Sequence, residues 1–94
     1  ICSMAESFQL PVAPHDCTGP ILLTASVHQS LNASNALIQE KVRAFYYGWY
    51  KELLTAFPTV ENCMIRSPEG TGLGTKLLPD VPNRKDARLR RSAL

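Results

Sequence analysis

The sequence predicts an α/β fold with two parallel strands, and three observations predict it. Over residues 1–40 the apolar segments alternate as helix, strand, helix, strand. Two short apolar runs, Pro11–His15 and Ala36–Glu40, each finish on a polar side chain. The residues between them, 16–35, are numerous enough for the crossover helix that a parallel pair requires. Strands joined in this way end on the same sheet edge, which is where α/β proteins place their chemistry.

Each element has a local reason. Residues 1–8 read as the end of an amphipathic helix, and Gln9-Leu10 as a turn. The prolines at 11 and 14 keep the first strand short, because proline donates nothing to a ladder. Gly19-Pro20 opens a helix whose expected apolar stripe is Ile21, Leu22, Ala25 and Leu31, with Val27 or His28. Asn32-Ala33-Ser34-Asn35 ends it, since short polar side chains compete for backbone groups. Residues 41–57 are amphipathic and rich in aromatics, with Gly48 an expected break and Pro58 the stop. The alternation of Val60–Arg66 predicts one strand, followed by a tight loop at Ser67–Gly74 and a proline-broken segment at Leu77–Pro82. The last ten residues are expected to be disordered or a frayed, solvated helix.

Composition narrows the class. The chain has 94 residues, 45% of them hydrophobic, and a formal charge of +2, which suits one small domain or a piece of a larger one. Residues 1–40 hold no Lys or Arg and only Glu6, Asp16 and Glu40 as acids, against an average of about 25% charged residues. Such a segment is mostly interior. The absence of an initiator Met, with a helix already under way at Ile1, makes a fragment the expectation. No apolar run reaches the roughly 20 residues of a membrane span, and no signal-peptide pattern is present. Cys2, Cys17 and Cys63 are odd in number and lack CxxC spacing, so reduced thiols and a cytoplasmic location are expected.

Several motifs carry a plainer reading beside a functional one. Gly70, Gly72 and Gly74 fit neither the dinucleotide fingerprint nor the P-loop, and read as a structural loop needing positive φ. The basic run Arg84–Arg91 has no interleaved aromatics, so a solvated end is preferred to a nucleic-acid site. His15, Cys17, His28 and Cys63 lack zinc-finger spacing. Cys17 near His15 could be a nucleophile, but sequence adjacency alone does not position a base. His15 remains open between a hydrogen-bonded structural residue and a general acid or base, the role an imidazole suits near neutral pH. Glu40 is open between a partner in the same cleft and a carboxylate paired with Lys41 or Arg43. Asp16 and Cys17 are expected to shape the turn into the following helix.

Ala13-Pro14-His15 followed by Gly19-Pro20, then Ile38-Gln39-Glu40, Glu61-Asn62 and Pro68–Gly74, resembles the C-terminal end of the mandelate racemase and muconate lactonizing enzyme family. The resemblance covers residues 1–81 and is nearest to the sugar-acid dehydratases of that enolase superfamily. It implies a (β/α) TIM-type barrel whose seventh strand ends at His15 and whose eighth ends at Glu40. Residues 1–57 would then belong to the barrel, 58–82 would return to a capping domain, and 83–94 would be a flexible basic tail. It also implies a small acid-sugar substrate, with neither nucleic acid nor membrane as partner, and a homo-oligomeric full-length protein. A Mg²⁺ would be held by carboxylates outside this chain. By the same resemblance His15 is the general acid or base. Glu40 would hydrogen-bond the substrate carboxylate, which requires it to carry a proton.

The departures are specific. Cys63 stands where glycine is usual, Thr71 where proline is usual, and Pro82 in what is commonly a helix. The metal carboxylates and the residue that orients the histidine are outside the chain. Alone, it is expected to be inert. The alternatives are a non-catalytic remnant or interaction module with the family's C-terminal sequence, and a racemase or cycloisomerase of the same superfamily.

Overall fold

The computed structural model describes residues 1–92. Its elements in chain order are α1 (Cys2–Ser7), α2 (Pro20–Asn32), α3 (Arg43–Tyr47), a 3₁₀ turn (Trp49–Glu52), strands β1 (Thr59–Glu61) and β2 (Met64–Arg66), and a second 3₁₀ turn (Val81–Asn83). The content is mixed α/β, and among the described residues no helix is long and apolar enough to cross a membrane.

The two segments predicted as strands run parallel, but they pair through a single bridge, Val12 with Ala36. Val12 donates to the Asn35 carbonyl and accepts from the Leu37 amide, both at 2.9 Å. Further along, the Glu40 amide reaches the Pro14 carbonyl at 3.3 Å. The expected five-residue strands are therefore corrected to one bridge. Pro14, the next residue of this segment to face Leu37, has no N–H to donate, so the ladder cannot continue past the bridge. Direction and edge nevertheless survive: His15 and Glu40 leave the pair on the same side.

Helix α2 starts as its sequence suggests, with Pro20 in the first turn. Its buried face is different from the expected stripe. Pro20, Leu23, Thr24 and Val27 face inward, with Ser26, while Ile21 and Leu22 are each 39% exposed and Leu31 is exposed. Thr24 tolerates full burial because its hydroxyl donates to the Pro20 carbonyl at 2.8 Å. Leu23 and Val27 pack against Tyr50 to form the core, flanked by Phe45, Tyr46, Phe57 and Ile65. Phe45 and Trp49 place their ring centroids 5.7 and 4.7 Å from that of Tyr50. Gly48 interrupts the aromatic run between α3 and the 3₁₀ turn, as expected.

The single strand predicted over Val60–Arg66 is instead a hairpin, with Val60 opposite Ile65. Asn62 and Cys63 form its two-residue turn at φ 48° and 62°. Positive φ at both positions matches the twist of antiparallel strands. Alternation hid the turn because Asn-Cys lacks the glycine that usually marks it. Downstream, Thr55 pairs with Lys76 and Leu78 with Leu53, both at 2.9 Å, while the His28 ring bonds the Leu73 carbonyl at 3.1 Å. The glycine loop is thereby held on α2. Gly74 has φ 69°, and a Cβ there would lie 2.5 Å from the Pro68 carbonyl oxygen, which explains its identity. Residues 85–92 form no helix and are mostly exposed, which corrects the frayed-helix expectation; 93–94 lie outside the described residues.

A left-handed conformation strains any side chain bearing a Cβ by about 1–2 kcal/mol. Cys63 is exposed and packs little. Cys63→Gly is therefore expected to stabilise the hairpin by about 0.5–1 kcal/mol once glycine's extra chain entropy is subtracted. A raised denaturant midpoint with an unchanged slope checks this.

Candidate active site

The segment Ala13–Cys17 leaves the parallel bridge and turns toward α2, carrying His15, Asp16 and Cys17 in succession. Asp16 faces inward and is fully buried, whereas His15 and Cys17 face outward. One Asp16 carboxylate oxygen accepts from the Tyr50 hydroxyl at 3.2 Å, and the other from the Val42 amide at 3.4 Å. Val42 lies two residues beyond Glu40. Asp16 thus ties the end of the His15 segment to the end of the Glu40 segment and fixes both on the aromatic core.

Outside this clamp the two predicted site residues meet. His15 Nδ1 lies 2.7 Å from Glu40 Oε2, and His15 Nε2 lies 2.9 Å from Cys17 Sγ. An ionised carboxylate is acceptor-only, so with Glu40 ionised Nδ1 donates to it. Nε2 then holds the lone pair and accepts from the thiol. Side-chain exposures of 68% for His15 and 46% for Glu40 leave the pair open to a ligand. Of the two readings of Glu40, pairing with Lys41 or Arg43 is not what the structure holds. The Lys41 ammonium stands 4.3 and 4.6 Å from the ring centroids of Tyr46 and Tyr47, and Arg43 sits over Tyr47 at 5.9 Å. The Tyr faces thereby hold both cations.

His28 is engaged with Leu73, and among the described residues no three His, Cys, Asp or Glu side chains gather as a metal-ligating group. The chain's own residues therefore do not fit a Mg²⁺ site. Asp16 was expected to shape a turn; its burial and its bond to Tyr50 are what sequence reasoning missed. A signal existed, since a carboxylate within a charge-free, proline-bounded segment has to find partners inside.

Burial, reinforced by the Asp16 carboxylate, pushes the Tyr50 phenol up to about 12 from its ordinary 10.0. The folded state thus holds this proton more tightly than the unfolded state. The associated stability is complete below pH 10.0 and is lost as pH rises toward about 12. Tyr50→Phe is expected to remove that portion of the alkaline slope. At neutral pH it costs about 1–3 kcal/mol, because a buried carboxylate loses a donor. Denaturant unfolding at a series of pH values measures both effects.

The chain is similar to known proteins over most of its length. The family model described as enolase C-terminal domain-like matches residues 1–81. D-galactonate dehydratase of Ralstonia pickettii is 35% identical over 82 residues, covering 82% of this chain and 22% of that protein. An enolase of the mandelate racemase subgroup from Agrobacterium tumefaciens matches with a TM-score of 0.80 and 60% identity, over 87% of this chain and 22% of its own. An enolase protein from Sargasso Sea environmental sequencing matches with a TM-score of 0.84 and 39% identity, over 99% of this chain and 24% of its own. The chain spans about a fifth of the length of the curated relatives it matches. With the matched model covering most of its length and the same fold in both structures, this chain belongs to the enolase C-terminal domain-like family.

Proposed function

We propose that this chain is the C-terminal part of a Mg²⁺-dependent acid-sugar dehydratase, with His15 and Glu40 ending the seventh and eighth strands of a (β/α) barrel. The observation that carries the reading is the 2.7 Å contact between His15 Nδ1 and Glu40 Oε2 at one edge of two parallel segments. An imidazole and a carboxyl held together at an open edge suit the making and breaking of C–H and O–H bonds. The curated relative's name, D-galactonate dehydratase, supports the substrate class.

In this reading a proton leaves the carbon next to the substrate carboxylate, and its electron pair spreads into an enediolate. The hydroxyl on the neighbouring carbon then departs as water after gaining a proton, and the enol product becomes a 2-keto-3-deoxy acid. His15 is the general acid or base of this exchange. Glu40 bonds the substrate carboxylate as charge builds there. Among the described residues the hydrogen bonds of its carboxylate use Oε2, which leaves Oε1 for a ligand. Residues 1–57 belong to the barrel and 58–82 pack on a capping domain, with 83–94 a basic tail. Mg²⁺ belongs to the whole protein through residues outside this chain, so no step here passes through it. The complete protein acts as a homo-oligomer in the cytoplasm on a small acid sugar.

The test uses the full-length protein with Mg²⁺ and a panel of acid sugars, following 2-keto acid formation. Conversion of at least one acid is expected; conversion of none favours the non-catalytic remnant, and inversion without loss of water favours a racemase. His15→Asn is expected to lower turnover by about 100-fold or more while metal binding stays intact. Turnover at the wild-type rate would remove His15 from the mechanism. Glu40→Gln, which still donates a hydrogen bond, should keep far more activity than Glu40→Ala; equal losses would argue against a donor role.

A further inference from the structure

We propose that Asp16 is a positioning residue for the chemistry proposed above at His15 and Glu40, a role that rests on that reading of the site: from inside the fold it holds the two side chains in register. The parallel pairing weakens before it reaches either of them. Val12 and Ala36 form its bridge, and past it the Glu40 amide and the Gln39 side-chain amide reach the Pro14 carbonyl at 3.3 and 3.4 Å. Both are long for hydrogen bonds. Beyond Pro14, among the described residues, each hydrogen bond joining residues 15–17 to residues 40–50 is made either by the site pair itself or by Asp16. Asp16 accepts from the Val42 amide, two residues past Glu40, and from the Tyr50 hydroxyl in the core. It is the chain neighbour of His15, so a shift of the Asp16 backbone carries the imidazole with it.

The energetics argue for placement rather than stability. An ionised carboxylate offers about four acceptor sites. Asp16 is fully buried and, among the described residues, accepts two hydrogen bonds from neutral donors at 3.2 and 3.4 Å. A burial this thinly compensated stabilises a fold less than an apolar side chain of similar volume would. What it supplies is direction, because donors from two separate segments meet at one side chain. A misplacement of about 1 Å between reacting groups can cost about 100-fold in rate.

The experiment compares full-length variants in Mg²⁺ with an acid sugar that the unaltered protein converts, expressing kcat per folded molecule, with the folded fraction taken from circular dichroism. Asp16→Ala is expected to lower kcat about 10- to 100-fold. Asp16→Asn is expected to stay within about threefold, because its carbonyl oxygen accepts from Val42 and its amide donates to the Tyr50 hydroxyl. Tyr50→Phe severs one tie and keeps the other, so its kcat falls between the two, and it decides the matter where Asp16→Ala does not fold. Leu54 is buried outside the cluster around Tyr50, and Leu54→Ala is expected to lose stability yet keep kcat. Deuterium exchange of the peptide containing residues 40–42 needs no substrate: it quickens in Asp16→Ala and stays near the unaltered rate in Asp16→Asn.

Unchanged kcat in Asp16→Ala, or in Tyr50→Phe where that variant alone folds, would overturn the proposal. So would a Leu54→Ala protein that falls as far as Asp16→Ala, an Asp16→Asn protein no more active than Asp16→Ala, or exchange that Asp16→Ala leaves unaltered. An unaltered protein that converts no acid sugar overturns the dehydratase reading instead, and the exchange rates still decide whether Asp16 holds the two ends together.

Discussion

The buried carboxylate of Asp16 is the constraint on which the rest of this structure depends. It joins three parts of the chain that sequence separates: the end of the first parallel segment, the backbone at Val42, and the Tyr50 ring in the core. A buried carboxylate without donors is costly, so the fold keeps the Tyr50 hydroxyl and the Val42 amide pointed at it. Tyr50 in turn touches Leu23 and Val27 of α2 and the rings of Phe45, Trp49 and Phe57. A polar tie and an apolar core therefore share one side chain. The site residues stand on the outer side of the same tie, which sets the spacing of His15 and Glu40.

The apolar surface outside this core is equally telling. Ile21, Leu22 and Leu31 of α2 and Leu37 and Ile38 beside the bridge are exposed, while among the described residues the buried hydrophobic core is Leu23, Val27, Tyr50 and Leu54. A chain of this composition has more apolar side chains than its own fold can cover. In the barrel proposed here, neighbouring strands and helices would cover these faces. The parallel bridge at Val12 and Ala36 would become part of a continuous sheet.

Much of the candidate site was legible in the sequence. A polar residue closing each of two short apolar runs, with a helix-length crossover between them, places His15 and Glu40 on one edge whatever the strand length. Their contact follows from that topology. Strand length was legible in part, since the prolines predict a short first strand, but that Pro14 leaves only one bridge was decided by the pairing of Val12 with Ala36. The proximity of Cys17 to His15 was legible as two residues on one side of an extended segment, but the burial of Asp16 between them was not.

The sequence by itself determined the helices on either side of the first segment, the parallel sense of the two segments, the break at Gly48 and the need for glycine in the loop ending at Gly74. These follow from periodicity, crossover length and backbone sterics, which act over a few residues and leave marks in the residue types. Only the tertiary structure decided that Asp16 is buried, that α2 turns Leu23 and Thr24 inward in place of Ile21 and Leu22, and that Val60–Arg66 folds back as a hairpin on Asn62-Cys63. The physical reason is common to all three. Each is a choice between locally similar alternatives, and it is settled by what lies opposite: a tyrosine hydroxyl for Asp16, an aromatic cluster for α2, and a paired strand for the hairpin.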